Sequence, residues 1–371
     1  LRAGFAELSV ELIASDKAAR GGSRPRPSRH LWTASAWGLL ALIVGQWGIL
    51  HFVGERSWLV MPLLYLPHGL LVLPLAVLTA GLLTQRSWRL LGTQVLAAAV
   101  LAGPLLGVQL NSPAQASGQP SIRIFSYNVY FGLLGHSNVA ARIPADVDVI
   151  LLQAVGNSGA VLQSPRFAKW SLRFSGQFAI ASRFPIIETA TPAEMPGRPG
   201  PAFERYRLET PLGRIDLYNV HTSSPRRGFL PHRRLRGLFA AIESGTLRRN
   251  IEQNIALRED QVRALAQDAA RSPYPVIIAG DTNLPGLSRT FRDHLGNFQD
   301  GFVEAGSGLG YTFPGHELLP WMRIDRVLAS RHLRFIDFKV GQGGGSDHKS
   351  VTARIASAPN LALTRNRAPS P

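Results

Sequence analysis

Between Arg29 and Glu55 the chain carries no Asp, Glu, Lys or Arg. Residues 31–53 read LWTASAWGLLALIVGQWGILHFV, long enough to cross about 30 Å of hydrocarbon as one helix. Charge is absent again over residues 57–85, where Pro62, Pro67 and Pro74 fall. A second span is expected to begin near Leu66, with a kink at Pro74 that lipid tolerates better than water does. A third, residues 90–110, follows Trp88 and Arg89, which suit a membrane interface. Three transmembrane helices within residues 31–110 are therefore expected. A cleaved signal followed by buried soluble helices is the competing reading, and three uncharged stretches in so short a length weigh against it.

Orientation follows from the basic residues. Lys17, Arg20, Arg24, Arg26 and Arg29 precede the first span, and Arg86 and Arg89 lie between the second and third. The other short loop has only Arg56 beside Glu55. The positive-inside bias then makes residues 1–30 a cytoplasmic tail, and three crossings put the remainder outside the cell. Residues 111–121, NSPAQASGQPS, read as a flexible tether, and residues 357–371 as a tail that frays.

The chain has no cysteine, so disulfides, thiolate metal sites and thiol nucleophiles are excluded and any catalysis must use oxygen and nitrogen groups. The formal net charge is +16, most of it after residue 120, which favours phosphate-bearing partners: nucleic acid, nucleotide or anionic lipid.

Residues 122–356 read as alternating strands and helices. Short apolar runs bounded by turn residues begin at Ile122, Asp148, Phe178, Arg214, Pro275, Arg323 and Ser350, and one clear helix spans residues 254–271. Some runs are apolar throughout, as expected of an α/β domain whose sheets are covered by helices. Polar groups recur where these strands end: Asn128 after IFSY, His221 after DLYNV, Asp281 and Asn283 in GDTN, Asp325 in RIDRV, and Asp347 with His348 in SDH. Strand ends are rigid, and side chains gathered there are preorganised for chemistry. Singly, each has a plainer reading as a turn, a cap, a satisfied histidine or a surface ion pair.

In their order along the chain, SYNV, LLQAV, SRFPI, NVHTSSP, LREDQVRAL, IIAGDTNLP, GYTFP, RIDRV and SDHKSV resemble the endonuclease/exonuclease/phosphatase superfamily of DNase I-like proteins, and the preceding spans resemble its membrane-anchored bacterial subgroup. The resemblance implies a four-layer α/β sandwich, two packed mixed sheets flanked by helices. It also implies metal-dependent hydrolysis of a phosphoester or pyrophosphate bond, with Mg²⁺ (or Mn²⁺) offsetting charge on the phosphoryl oxygens. By the same resemblance Asp281 orients or deprotonates the attacking water and Asn283 holds a phosphate oxygen. His348 donates to the phosphoryl group, Asp325 orients His348, and His221 lies near the leaving group. Asn128 and Asp347 are the metal-proximal pair.

One position departs from the pattern. The family's metal-binding Glu after Gln is here Ala154, following Gln153. A methyl group holds no metal. Weaker metal affinity is expected, and the alternative function is a catalytically impaired protein that binds phosphorylated ligands. Residues 221–250 add a basic stretch, with Leu235, Leu238, Phe239 and Ile242 at helical spacing. It reads as a surface for an anionic bilayer, a cradle for a phosphate headgroup or a solvated loop. A substrate of the lipid-linked phosphate class suits a domain tethered beside the bilayer. Extracellular nuclease action ranks second, because the stretch has few rings for base stacking.

Overall fold

The structure, a computed structural model, describes residues 29–112, 118–132, 136–192, 200–229, 242–315 and 319–359. The N-terminal tail up to residue 28, most of the tether, the end of the C-terminal tail, and Leu235, Leu238 and Phe239 of the basic stretch lie outside the described residues. The described residues form two compact units, one within residues 29–42 and 72–98 and the other within residues 43–71 and 99–359.

Helix α1 (Arg29–Phe52) is followed after a non-regular segment by α2 (Val72–Thr84) and α3 (Trp88–Val100), whose helical course continues as a π turn over Leu101–Leu105. Within the first unit Trp32 lies against Gly81, where a Cβ would come 2.2 Å from the indole ring. Among the described residues two helices, His30–Phe52 and Trp88–Leu105, are long and apolar enough to cross a membrane, and His68–Thr84 is shorter. The expectation of three full spans is corrected at the middle one. Pro62 and Pro67 cannot donate backbone hydrogen bonds, and the chain around them winds as 3₁₀ turns at Met61–Tyr65 and His68–Leu71. The α-helix starts only at Val72, so Pro74 falls in its first turn, where a missing N–H costs little and no kink is needed.

The second unit holds two six-stranded sheets. Its strands are β1 (Ser121–Asn128), β2 (Val149–Gln153), β3 (Ser171–Ser175), β4 (Phe178–Ser182), β5 (Ile186–Ala190), β6 (Phe203–Thr210), β7 (Gly213–His221), β8 (Val276–Asp281), β9 (Gln299–Asp300), β10 (Asp325–Ala329), β11 (Leu333–Val340) and β12 (Val351–Ser357). One sheet runs β11-β12-β1-β2-β4-β3 and the other β9-β10-β8-β7-β6-β5. Each is mixed: β1 with β2 and β7 with β8 are parallel, and the remaining neighbours are antiparallel.

Alternation along each strand sorts side chains between two cores. Ile122, Ile124, Val149 and Leu151 face Leu217, Ile277, Ala279 and Val327 between the sheets. Phe125, Tyr127, Ile150 and Leu152 point outward into a second cluster with Leu162 and with Val139 of α4 (His136–Arg142). On the far side, Tyr218, Val220 and Ile278 pack against Val262, Leu265 and Ala269 of α5 (Thr246–Ala270). Burial on both faces is why these strands are apolar throughout. The four-layer arrangement expected from the sequence is the one observed.

Parallel pairing brings β7 and β8 together at the end that carries the polar residues, with His221 opposite Asp281. Gly280 permits this approach: its φ is +141°, and a Cβ there would lie 2.1 Å from the Val220 carbonyl oxygen. Behind the same edge, Asp300 accepts from Arg323 (2.6 Å) and from the fully buried Arg326 (2.6 Å), and it caps the short helix Gly301–Ala305 through the Phe302 N–H (3.0 Å). Arg326 in turn donates to the Leu284 carbonyl (3.1 Å), fastening β10 to the loop after β8.

Burial alone would raise the Asp300 carboxyl, but the two guanidinium groups hold it below the ordinary carboxylate range. A depressed carboxylate contributes stability that is full above the unfolded-chain pKa and lost as pH falls through its lowered folded value. Asp300→Asn strands a buried cation and is expected to cost about 3–5 kcal/mol in chemical denaturation at neutral pH. That deficit should narrow as the pH is taken below the ordinary Asp range, and a deficit independent of pH would contradict the assignment.

Candidate active site

The strand ends converge on one carboxylate. Asp281, 1% exposed, accepts the Asn283 backbone N–H at 2.8 Å and the Asn128 Nδ2–H at 2.9 Å, with Asn283 Nδ2 at 3.2 Å. Because Asn128 ends β1 and Asp281 ends β8, this bond joins the two sheets. Beneath it Gln153 donates to Ser126 Oγ (3.1 Å) and to Asn219 Oδ1 (2.7 Å), and Asn219 donates to the Leu152 and Ala179 carbonyls. Buried amides are thus paired across the seam.

Two imidazoles flank Asp281. His348 Nε2 and His221 Nε2 each lie 3.6 Å from its Oδ2. His348 Nδ1 meets Asp325 Oδ2 at 2.9 Å, and His221 Nδ1 meets Gln177 Oε1 at 2.7 Å. Asp347 closes the ring, its Oδ1 at 3.9 Å from His348 Nε2 and its Oδ2 at 3.8 Å from Arg226 Nη1. Every residue predicted for the site is therefore in one place. Asn128, Asp281, Asn283, His221, Asp347 and His348 line a cleft of about 570 Å³, with Asp325 behind His348.

Burial by itself would lower the His348 imidazole, but the carboxylates of Asp325 and Asp281 outweigh it and lift it to about 9. At neutral pH both ring nitrogens then carry protons. Nδ1–H is committed to Asp325, and Nε2–H faces the cleft. Burial, with Asp325 nearby, pushes Asp281 above the ordinary carboxylate range although His348 and His221 pull the other way. A carboxylate raised in pKa beside a protonated imidazole is a base and acid pair set apart by their surroundings.

A model of the Endonuclease/Exonuclease/phosphatase family matches residues 125–348. The chain belongs to this family. No curated protein matches it in sequence. Solved structures similar to it include an endonuclease/exonuclease/phosphatase from Bacteroides vulgatus, 14% identical over 65% of this chain and 100% of that one, with a TM-score of 0.48. Others are truncated Caenorhabditis elegans TDP2 (20% identical, 64% and 98% covered, TM-score 0.46) and an endonuclease/exonuclease/phosphatase from Beutenbergia cavernae (15% identical, 65% and 72% covered, TM-score 0.45).

Enzymes of the endonuclease/exonuclease/phosphatase family are hydrolases of phosphoester bonds and commonly use divalent metals. Here Asp281, Asp325 and His348 form a buried group with donor atoms within 4.8 Å of one another. At Asn128 and Asp347, the pair that the sequence resemblance gives to the metal, the donors are sparser. Ala154 lines the cleft with a methyl group, Asn128 Oδ1 already accepts the Tyr130 N–H (3.1 Å), and Asp347 has Arg226 as a neighbour. This set fits a cation held by one carboxylate, an amide oxygen, water and substrate phosphate, a mode Mg²⁺ accepts. It does not fit one held by two carboxylates.

Several functional neighbours escaped the sequence reading. Arg226 stood among other arginines with nothing to single it out, yet its guanidinium lies 4.8 Å from the Phe313 ring, which in turn packs 4.9 Å from His348. Gln177, which meets His221, precedes a strand and has no motif of its own. The signals were present only as cleft-lining positions in three dimensions.

Ala154 has φ +50°, a left-handed conformation that any side chain with a Cβ strains to adopt. Alanine already bears that strain, so Ala154→Glu adds a carboxylate at no further backbone cost. We expect the substitution to tighten Mn²⁺ or Mg²⁺ binding by at least about tenfold in titration calorimetry, as one added charged ligand should. Unchanged affinity would separate residue 154 from the metal position.

Proposed function

We propose that the chain is a membrane-anchored, extracytoplasmic phosphoesterase that hydrolyses a phosphoester or pyrophosphate bond of a lipid-linked phosphate. The observation that carries the reading is the buried Asp281–His348–Asp325 arrangement in the wall of a cleft that also presents Asn128, Asn283 and Arg226.

Asp281, raised in pKa and adjacent to open cleft, orients a water and takes its proton. Asn283 Nδ2, which donates to Asp281 and to the Thr222 carbonyl (3.0 Å), exchanges the Thr222 bond for a phosphoryl oxygen, and the protonated Nε2 of His348 donates to the charge that builds on that group, with Asp325 keeping the ring in place. His221, held by Gln177, stands on the other flank of Asp281, where a leaving oxygen needs a proton. A divalent cation at Asn128 and Asp347 would offset phosphoryl charge. Arg226 is the protein's own cation on that side.

The apolar helices support the anchoring. Residues 54–65, between α1 and α2, pack on the hydrolytic domain, so both lie on one side of any membrane that α1 crosses. On this reading the chain between them, α2 and α3, goes in and comes back. The 17 residues His68–Thr84 reach the short end of what spans a bilayer, about 25 Å at 1.5 Å per residue. With the basic tail inside, the domain lies outside.

A second reading is favoured by Ala154 together with the Asp347–Arg226 pair. It makes the chain a binder of phosphorylated ligands that turns them over slowly or not at all.

Phosphate release from a generic diester, a nucleotide and a lipid pyrophosphate separates these readings. We expect metal-stimulated release that rises in Ala154→Glu and falls about 10²–10⁴-fold in His348→Ala, the range for loss of a general acid. Ligand binding without release in either the parent or Ala154→Glu would select the binder, and preference for the nucleotide would remove the lipid assignment. The cysteine-free sequence makes topology directly measurable. Leu59→Cys is expected to react with an impermeant maleimide on intact cells, and Ser87→Cys only after permeabilisation; early labelling of residue 87 would refute the hairpin.

A further inference from the structure

The segment between α1 and α2 belongs to the catalytic face. Glu55 accepts from Ser288 Oγ and from the Arg289 N–H (2.8 Å) at the start of α6 (Arg289–Leu295). Met61 is fully buried against Leu247 and Ile251 of α5. Trp321 Nε1 donates to the Tyr65 carbonyl at 3.1 Å, and the Tyr65 ring packs with Phe313, Met322 and Ile324. Pro62 and Tyr65 form part of the cleft wall.

Tyr65 reaches furthest in. Its hydroxyl accepts from Arg258 Nη2 at 2.6 Å and donates to the Asn283 carbonyl at 3.1 Å, and that carbonyl also accepts from Arg258 Nη2 at 2.8 Å. Burial pushes the Tyr65 phenol up to about 12, so the hydroxyl keeps its proton and remains a donor. Arg258 is 1% exposed, has no carboxylate within ion-pair distance among the described residues, and leaves Nε and Nη1 without hydrogen-bond partners. A buried guanidinium so poorly compensated is costly unless its remaining acceptors are well placed. Those acceptors are Tyr65 and Asn283.

Asn283 needs such a restraint. Its φ is +50°, a conformation that asparagine tolerates but does not favour. Its N–H and Nδ2 are turned to Asp281, and Nδ2 also donates to the Thr222 carbonyl (3.0 Å), while its carbonyl points to the tyrosine and arginine behind. Fixing the carbonyl fixes the peptide plane and, through it, the amide that meets phosphate.

We infer that Tyr65, from the segment joining the first two apolar helices, is a positioning residue of the hydrolytic site, holding Asn283 in its left-handed conformation in concert with Arg258. The inference rests on reading the cleft as a phosphoesterase site. Its consequence is that the segment carrying the chain between two membrane-facing helices completes the catalytic wall, so residues 122–356 alone lack a component of the site.

The test uses the full chain in detergent micelles, as Tyr65→Phe and, for comparison, Leu59→Ala, whose side chain is exposed in the same segment. Hydrogen exchange of amides 282–284 reads the restraint without turnover. Hydrolysis of bis(p-nitrophenyl) phosphate, in the Ala154→Glu background, reads its effect. Tyr65→Phe is expected to speed exchange at 282–284 about tenfold relative to Ile277 and Ile278, and to lower kcat by a similar factor with KM unchanged, the effect of losing one charge-assisted hydrogen bond. Leu59→Ala should change neither. Unchanged exchange, a rise equal throughout β8, or local loosening with kcat unaltered would each overturn the inference. Failure of the parent and of Ala154→Glu to cleave any phosphate ester would instead overturn the hydrolase reading, while the exchange result still decides whether Tyr65 restrains Asn283.

Discussion

A buried carboxylate must be surrounded by donors, and in this protein the donors to Asp281 come from both sheets. Asn128 reaches it from β1, Asn283 from the loop after β8, and the imidazoles of His348 and His221 stand at its flanks. The requirement is mutual. With Asp281 removed, the Asn128 amide and two histidines would lose their shared partner, leaving the His348–Asp325 pair and the Gln153 and Asn219 amides below to join the edges of the two sheets. The catalytic geometry and the closure of the sandwich at this edge are thus one set of hydrogen bonds. Gly280 is part of the same constraint, since a side chain there would push β7 from β8 and carry His221 away from Asp281.

The strands that carry this edge were legible because both of their faces are buried. IRIFSYN, VILLQ and VIIAGD are apolar without interruption, and each ends in the polar residue that the site uses. The strands that were missed are those whose outer face carries charge. In FERYRLET, Arg205 pairs with Glu188 (2.9 Å), and Arg207 pairs with Glu188 and Asp216, an ion-pair ladder spread over β5, β6 and β7. A charged ladder of this kind looks like a solvated loop in one dimension. Helix α5 was read eight residues short because residues 246–253, TLRRNIEQ, bury only Leu247 and Ile251 among polar neighbours; further along, its buried stripe includes Asn254, Arg258 and Gln261, polar residues that serve the loops beside the site. Asn254 donates to the Ser224 carbonyl (3.1 Å), and Gln261 accepts the Ser223 N–H (2.8 Å).

Residues 57–71 show where hydropathy runs out. An uncharged stretch rich in Leu and Pro signals only that water is avoided, and a protein surface satisfies that demand as well as lipid does. Met61, Trp58 and Tyr65 are taken up by α5 and the residues around Trp321, so the stretch is shared between an apolar helix and a docked segment. Its prolines fit this division, being suited to short turns and to a first helical turn but not to a continuous span. The same stretch supplies the hydroxyl that meets Asn283, a contact between residues more than two hundred positions apart that no local pattern announces.

Ala154 alters this site without dismantling it. No hydrogen bond that organises Asp281, His348 and Asp325 involves its side chain, and its carbonyl still accepts the Phe131 N–H at 2.6 Å. The backbone path that would carry a metal-binding carboxylate is therefore kept while the charge is gone. Proton transfer and charge neutralisation are separable functions at such a site, since the first depends on the two carboxylates around His348 and the second on cations facing the phosphate. On the proposed reading, the methyl group at residue 154 bears on the second alone. Arg226, 3.8 Å from Asp347, stands where positive charge is in short supply, on a flexible side chain that cannot match the fixed field of a bound divalent ion. On the proposed reading the expected phenotype follows from that imbalance: Asn283 and Arg226 would recognise phosphate, and its activation would be limited by how much charge a single guanidinium and a loosely held cation offset.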